Sequence, residues 1–336
     1  MLKILLSKSL FPNRDKPAHL ILHVTNKCNL RCNTCFVNFD IPIADISLEE
    51  IKKVSKSLGK LLWLDLSGGE PFLRKDLPEI CSSFKSEVIT IPTNGFDSEL
   101  IYEKTKEILD TTKAELTVSI SLDGFKEVHD SIRAKGSFDK AIATLKKLRT
   151  IPHLKVKVNT VLCEKNYPTL IQFMKYIKTF NPDFHSIILL RGNPRNKTYK
   201  LPSLEKLIGI RKGIFSMWDS YSYGLNPIIS RILKNYQKQM YNTSLNIIKK
   251  KRQIPSCLAG TQHLVIYANG DVSFCEMLPS MGNLKNKPLK AILNSEPAKR
   301  LRKHIAQKKC YCHHNCNILD NYFLNWTKYP KLILGD

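Results

Sequence analysis

The chain has 336 residues, 43% of them hydrophobic and 24% charged, which supplies a buried core and excludes an intrinsically disordered protein. Its 53 Lys and Arg against 29 Asp and Glu leave a formal charge of +24, which suits nucleic acid, a phosphorylated metabolite, an acidic peptide or an anionic membrane surface, or else a Lys-rich solvated exterior. No run is long enough to span a bilayer, and the opening MLKILLSKSLF, broken by Lys3 and Lys8, lacks the features of a secretory signal. The expectation is a soluble, cytoplasmic protein whose ten cysteines serve metal binding or catalysis rather than disulfides.

An apolar, β-branched run at 19–24 predicts a first strand, and the loop after it carries Cys28-Asn-Leu-Arg-Cys32-Asn-Thr-Cys35. Three thiolates from one loop hold three irons of a cubane cluster and leave the fourth open, as a chemistry site requires. A zinc knuckle and buried thiols are the alternatives. Ser47 with Glu50 three residues on forms a capping box that starts a helix. A second strand at 61–66 runs into Ser67-Gly68-Gly69-Glu70-Pro71, where glycines permit close backbone approach and Glu70 offers an acceptor for an ammonium. A third strand at 88–91 ends in Thr93-Asn94-Gly95. Helical spacing over 97–109 precedes a fourth strand at 116–121, and alternation puts Ser119, Ser121 and Asp123 on one face, with Asp123 also placed to cap a helix. Arg133 follows in the segment His129-Asp-Ser-Ile-Arg133, read as a loop. Helices at 137–148 and 167–180 flank a fifth strand, 156–162, that ends near Asn159 and Cys163; a sixth, 184–190, ends at Arg191-Gly192. Six strands alternating with helices predict a parallel sheet with right-handed crossovers, an open or partial barrel whose unusual motifs all sit on the carboxyl rim.

Residues 194–256 break the pattern, with thirteen basic residues against Glu205 and Asp219 and with Trp218, Tyr221 and Tyr223 between them. They read as a helical connector and surface, with a nucleic-acid or membrane face as the alternative. Around Asn269-Gly270 two apolar runs predict a β-hairpin flanked by Cys257 and Cys275. The run Cys310-Tyr-Cys312-His-His-Asn-Cys316 closes this second cysteine group. Five thiols suit one four-cysteine cluster, with Cys310 and Cys312 competing for a place; a structural zinc held by Cys and His313 or His314 is the alternative. Cys81 reads as core. Cys163, near the rim, reads either as a buried thiol or as a hydrogen donor at the site. The remaining histidines, His19 and His263 among them, show no metal spacing.

The CxxxCxxC loop directly after a first strand, with Gly-Gly-Glu one unit on, resembles the radical S-adenosylmethionine superfamily, over residues 19–316. The resemblance implies a partial (β/α)6 barrel carrying a [4Fe–4S] cluster on Cys28, Cys32 and Cys35, with S-adenosylmethionine on the open iron. Gly68, Gly69 and Glu70 are then expected at its amino group, Ser119, Ser121 and Asp123 at its ribose, Arg133 at its carboxylate and Asn94 as a further contact. One departure is Thr34, where the family has an aromatic residue; Phe36 is expected to supply that packing. The Gly270-x4-Cys275 and Cys312-x3-Cys316 spacings resemble the SPASM extension or its shorter twitch form, implying one auxiliary [4Fe–4S] cluster in a small hairpin and helix domain. Expected boundaries are an extension to 16, the barrel over 17–193, the connector over 194–256, the auxiliary domain over 257–320 and a tail over 321–336. The implied activity is reductive cleavage of S-adenosylmethionine to a 5′-deoxyadenosyl radical that abstracts hydrogen from a peptide or small metabolite, fed by a flavodoxin or ferredoxin. An RNA-modifying member of the superfamily and a non-catalytic electron carrier are the alternatives.

Overall fold

Strand β1 (His19–Thr25) is buried along its whole length and sits near the middle of a nine-stranded sheet. The computed structural model describes residues 10, 13, 15–37 and 44–335, so the extension expected up to residue 16 lies mostly outside the described residues. On one side of β1 the chain lays down β2 (Leu61–Gly68), β3 (Ser86–Thr93), β4 (Glu115–Ser121), β5 (Lys155–Leu162) and β6 (Phe184–Leu189), each parallel to the last. The sheet does not close into a barrel. These are the six predicted strands, in the predicted order.

The helices that make the crossovers begin where the sequence signals them. Helix α1 (Leu48–Leu58) starts at the Ser47 and Glu50 capping box, with Glu50 N donating to Ser47 Oγ at 3.2 Å and Ser47 N to Glu50 Oε2 at 2.8 Å. Helix α2 (Leu77–Ser83) buries Cys81 completely, as expected of a core thiol. Asp97 caps α3 (Ser98–Thr111) by accepting from Leu100 N. The segment read as a loop before Arg133 is a short helix, α4 (Lys126–Ile132), too brief for periodicity to reveal. Helices α5 (Ser137–Leu148) and α6 (Leu170–Lys178) complete the set.

Along β1 to β5, alternate residues face opposite ways. Leu20, Leu22, Leu64, Leu66, Ile89, Ile91, Val118, Ile120, Val156 and Val158 point to the helices and form one apolar core. The other set, including Asp65, Thr90, Thr117, Lys157 and Asn159, lines a cavity of about 550 Å³ on the inner face. Parallel strands covered on both faces ordinarily carry apolar residues throughout, so this polar alternation marks a face built around solvent or ligand.

The 194–256 stretch supplies α7 (Leu204–Asp219) and α8 (Pro227–Lys250). It is more than surface. Tyr223, Leu233, Tyr236 and Met240 wall the open side of the partial barrel, where no strand exists to cover it. Trp218 Nε1 donates to His185 O at 2.9 Å, and Tyr223 stacks on Phe184 at 4.5 Å, which fastens the segment to β6.

The predicted hairpin forms from β7 (His263–Ile266) and β8 (Asp271–Ser273), with Gly270 in the left-handed region at φ 89° and a two-residue β9 (Gly282–Asn283) beyond. It does not stand apart from the barrel: β7 pairs parallel with β1, so both cysteine groups belong to one sheet. Helices α9 (Leu289–Leu293), α10 (Glu296–Ala306), α11 (Asn315–Phe323) and α12 (Tyr329–Leu334) follow. Among the described residues, no helix is long and apolar enough to cross a membrane.

Candidate active site

Cys28, Cys32 and Cys35 lie together in the loop after β1 and line the upper end of the cavity. Burial pushes the Cys28 thiol up to about 11 and raises Cys32 and Cys35 as well, so free thiols here would stay protonated. Yet donors are aimed at the sulfurs: Leu30 N lies 3.5 Å and Asn94 Nδ2 3.9 Å from Cys28 Sγ, and Arg133 Nη1 lies 3.8 Å from Cys32 Sγ. Donors around buried sulfur suit metal-bound thiolates, so the loop fits a cluster.

The Gly-Gly-Glu motif holds that loop in place. A Cβ on Gly69 would stand 2.1 Å from Lys27 O, and one on Gly68, whose φ is +128°, 2.2 Å from Thr25 O. The close approach lets Gly69 N donate to Thr25 O and Glu70 N to Lys27 O, both at 2.8 Å. Glu70 itself is 3% exposed; its carboxylate accepts from Thr93 Oγ1 at 2.9 Å and Asn94 N at 2.8 Å. Burial raises it to about 7, despite those hydrogen bonds. A buried carboxylate without an ion-pair partner among the described residues fits an incoming ammonium.

The fourth-strand residues divide. Ser121 lines the cavity. Ser119 is fully buried with no partner for its hydroxyl. Asp123 is turned away: Oδ2 accepts from Arg133 Nε at 2.7 Å and Oδ1 from Val161 N at 2.8 Å. Arg133, expected at the carboxylate of S-adenosylmethionine, caps the end of α4 and reaches both Asp123 and the Cys32 sulfur. Cys163 lies behind the rim among Ile132 and Leu190 and does not line the cavity. Phe36 stands at the mouth under the Arg191 guanidinium, 5.1 Å from the ring centre.

The second cysteine group gathers around α11 and the hairpin. Asn317 Nδ2 lies 3.1 Å from Cys275 Sγ and 3.7 Å from Cys312 Sγ, and Ala259 N lies 3.4 Å from Cys257 Sγ. A hydrogen bond from Cys275 draws the Cys312 thiol down to about 6. Cys310 is half-buried against the apolar core. Cys316 turns the other way, into the barrel cavity, 3.7 Å from Asp65 Oδ2.

Two networks had no sequence signal. His19, at the start of β1, lies between carboxylates: Nδ1 is 2.9 Å from Asp320 Oδ1 and Nε2 3.1 Å from Asp65 Oδ2. Both ring nitrogens therefore donate; burial alone would lower this group, but Asp320 and Asp65 raise it to about 10. His263 Nδ1 completes the set, 2.7 Å from Asp320 Oδ2. The ligand atoms of His19, His263 and Asp320 fall within 4.8 Å of one another, each spent on a hydrogen bond. Beside it, Glu276 accepts from His23 at 3.2 Å, from Arg191 at 3.1 Å and from His314. These residues converge through strand pairing and α11, not through spacing in the chain.

Comparison with known proteins agrees with this geometry. Residues 22–177 match the family model for the radical SAM superfamily, and residues 257–317 match SPASM, an iron–sulfur cluster-binding domain. The chain is 26% identical to the antilisterial bacteriocin subtilosin biosynthesis protein AlbA of Bacillus subtilis, over 94% of this chain and 70% of that protein. Its fold resembles Streptococcus suis SuiB bound to the precursor peptide SuiA, with a TM-score of 0.63 and 18% identity over 86% of this chain and 67% of that one. It also resembles anSMEcpe with bound AdoMet and Cp18Cys peptide, with a TM-score of 0.62 and 17% identity over 95% and 98% of the two chains.

Proposed function

The chain belongs to the radical S-adenosylmethionine superfamily and carries a SPASM iron–sulfur domain, and on that premise we propose that it modifies a peptide held in the barrel cavity. One observation carries the reading: a single cavity is lined by Cys28, Cys32, Cys35 and Glu70 and also by Cys316 and Glu276. A substrate seated there touches both cysteine groups.

Cys28, Cys32 and Cys35 would hold the [4Fe–4S] cluster, with Glu70 receiving the amino group of S-adenosylmethionine and Asn94, Ser119 and Ser121 offering polar contacts. When bound and reduced, that pair supplies a 5′-deoxyadenosyl radical that takes a hydrogen atom from a substrate carbon. Gly68 and Gly69 fix the cysteine loop against β2, and the Arg133–Asp123 pair ties the opposite side of the loop to α4. Cys275 and Cys312, which share the Asn317 amide, together with Cys257 and with Cys310 or Cys316, would hold one auxiliary cluster at the cavity wall. Tyr236, Leu233 and Met240 exclude water from the reacting carbon. The clusters need a reduced compartment, the cytoplasm, and an electron donor such as a flavodoxin or ferredoxin.

A peptide substrate is supported by the relatives, whose names record bacteriocin biosynthesis and bound peptides. An RNA substrate has no stacking platform in Trp218, Tyr221 and Tyr223, which are only 0%, 4% and 7% exposed, and keeps only the basic charge in its favour. The test is 5′-deoxyadenosine release by anaerobically reconstituted protein with S-adenosylmethionine and dithionite, with and without a peptide library. Peptide-dependent release together with a mass change in the peptide is the expected result. Release that only small metabolites stimulate overturns the peptide reading.

A further inference from the structure

The charged groups lining the cavity can be paired off. Arg133 meets Asp123 at 2.7 Å, Arg191 meets Glu276 at 3.1 Å, and Asp65 meets His19 at 3.1 Å. Lys155 donates to Gly224 O at 2.7 Å and lies 3.9 Å from Asp183. Glu115 is exposed to solvent. Two remain: Glu70 and Lys157 line the cavity with no opposite charge within ion-pair distance among the described residues. Glu70 has a partner in the amino group that the cysteine site brings. Lys157 has none.

Lys157 stands on the inner face of β5, in register with Ser119 on β4 and Phe184 on β6. It lies two residues before Asn159, about 7 Å deeper along the strand. Burial holds its amine below the usual lysine range; Asp65 and Cys316 act on it from a distance and raise it only in part. Across the register, the Ser119 hydroxyl is fully buried and has no partner. The row above, Ser121 with Asn159, remains for the nucleoside. An ammonium enclosed without a counter-ion carries a heavy desolvation penalty, and a ligand anion removes it.

We propose that Lys157 recognises a carboxylate of the substrate, so that the cavity selects a peptide presenting an acidic side chain or its C-terminus. The inference rests on reading the cavity as the substrate site. The alternative is that Lys157 only balances the charge of Asp65 and Asp320, in which case acid and neutral ligands bind alike.

The probes, added to the reconstituted protein with S-adenosylmethionine, are two acid and amide pairs: N-acetylglutamate α-methylamide with N-acetylglutamine methylamide for an acidic side chain, and N-acetylalanine with N-acetylalaninamide for a C-terminus. The acid of at least one pair should slow acylation of Lys157 by acetic anhydride, read by peptide mass, and its amide should not. Titration by NMR should show the acid binding about tenfold or more tightly than the amide. That preference should vanish in Lys157→Met and survive in Lys157→Arg. Equal protection by acid and amide in both pairs in the wild-type protein overturns the proposal, as does an acid preference that persists in a folded Lys157→Met variant. Wild-type 5′-deoxyadenosine release, measured on the same preparation, reports separately on the enzymatic reading.

Discussion

Asp123 and Arg133 form a buried ion pair, 2.7 Å from Oδ2 to Nε, and the same guanidinium reaches to 3.8 Å from the Cys32 sulfur. The cysteine loop is tied to the same place by Asn33 N, which donates to Ile132 O at 2.8 Å. Asp123→Asn leaves the guanidinium buried without its counter-charge. It should destabilise the protein by about 3–5 kcal/mol and lower iron incorporation, read from urea unfolding and iron content.

Gly69→Ala tests the packing of the cysteine loop. Its new methyl would meet backbone at 2.1 Å, where no flexible side chain can yield. The cost is expected at about 2 kcal/mol or more, with loss of the loop's cluster, whereas Gly209→Ala in α7, where nothing lies within 4 Å, meets no such contact. Equal iron retention in the two variants would show that the close approach is not needed.

Glu70→Gln tests the unpaired carboxylate. The substitution removes the charge and sets an amide against Asn94 N or Thr93 Oγ1, both of which now donate to it. Affinity for S-adenosylmethionine, measured by equilibrium dialysis, should fall about tenfold or more.

His185 makes the fold sensitive to acid. Burial alone lowers its imidazole to about 3, and its Nε2 is 2.8 Å from Thr160 Oγ1. Above pH 6.5 the ring is neutral in folded and unfolded chains alike and contributes no pH dependence. As the pH falls from 6.5 towards 3, the unfolded chain binds a proton that the folded one refuses, and stability drops. The loss from this residue should reach about 2 kcal/mol at pH 5 relative to pH 8. His185→Gln should remove that part of the slope, checked by urea midpoints at the two pH values.

The barrel and its rim were legible in the sequence because they are local: six apolar runs, each followed by a polar motif, map directly onto β1 to β6. The cysteine groups were legible for the same reason. Roles that depend on where a side chain turns were not. Asp123 and Ser119 share a face in the chain, but a short helix delivers Arg133 to Asp123 and leaves Ser119 without a partner. His19 meets Asp320 only because β1 lies beside β7 and α11 packs against both. A usable signal did exist for the cavity: Thr-Val-Ser-Ile-Ser and Lys-Val-Lys-Val-Asn alternate polar with apolar, an unusual habit for strands of a parallel sheet covered by helices.

The pairing of β1 with β7 bears on how the chain is made. β1 leaves the ribosome before the other strands of its sheet, and β2 covers one of its edges early; the other edge waits for β7, far along the chain. Until β7 arrives, a strand that the finished fold buries along its whole length offers unpaired amides and carbonyls to any neighbouring chain. A truncation ending before residue 257 would make that exposure permanent and should yield inclusion bodies rather than a smaller soluble barrel. Synthesis of this enzyme therefore carries its greatest aggregation hazard in the nascent chain, relieved only when β7 docks.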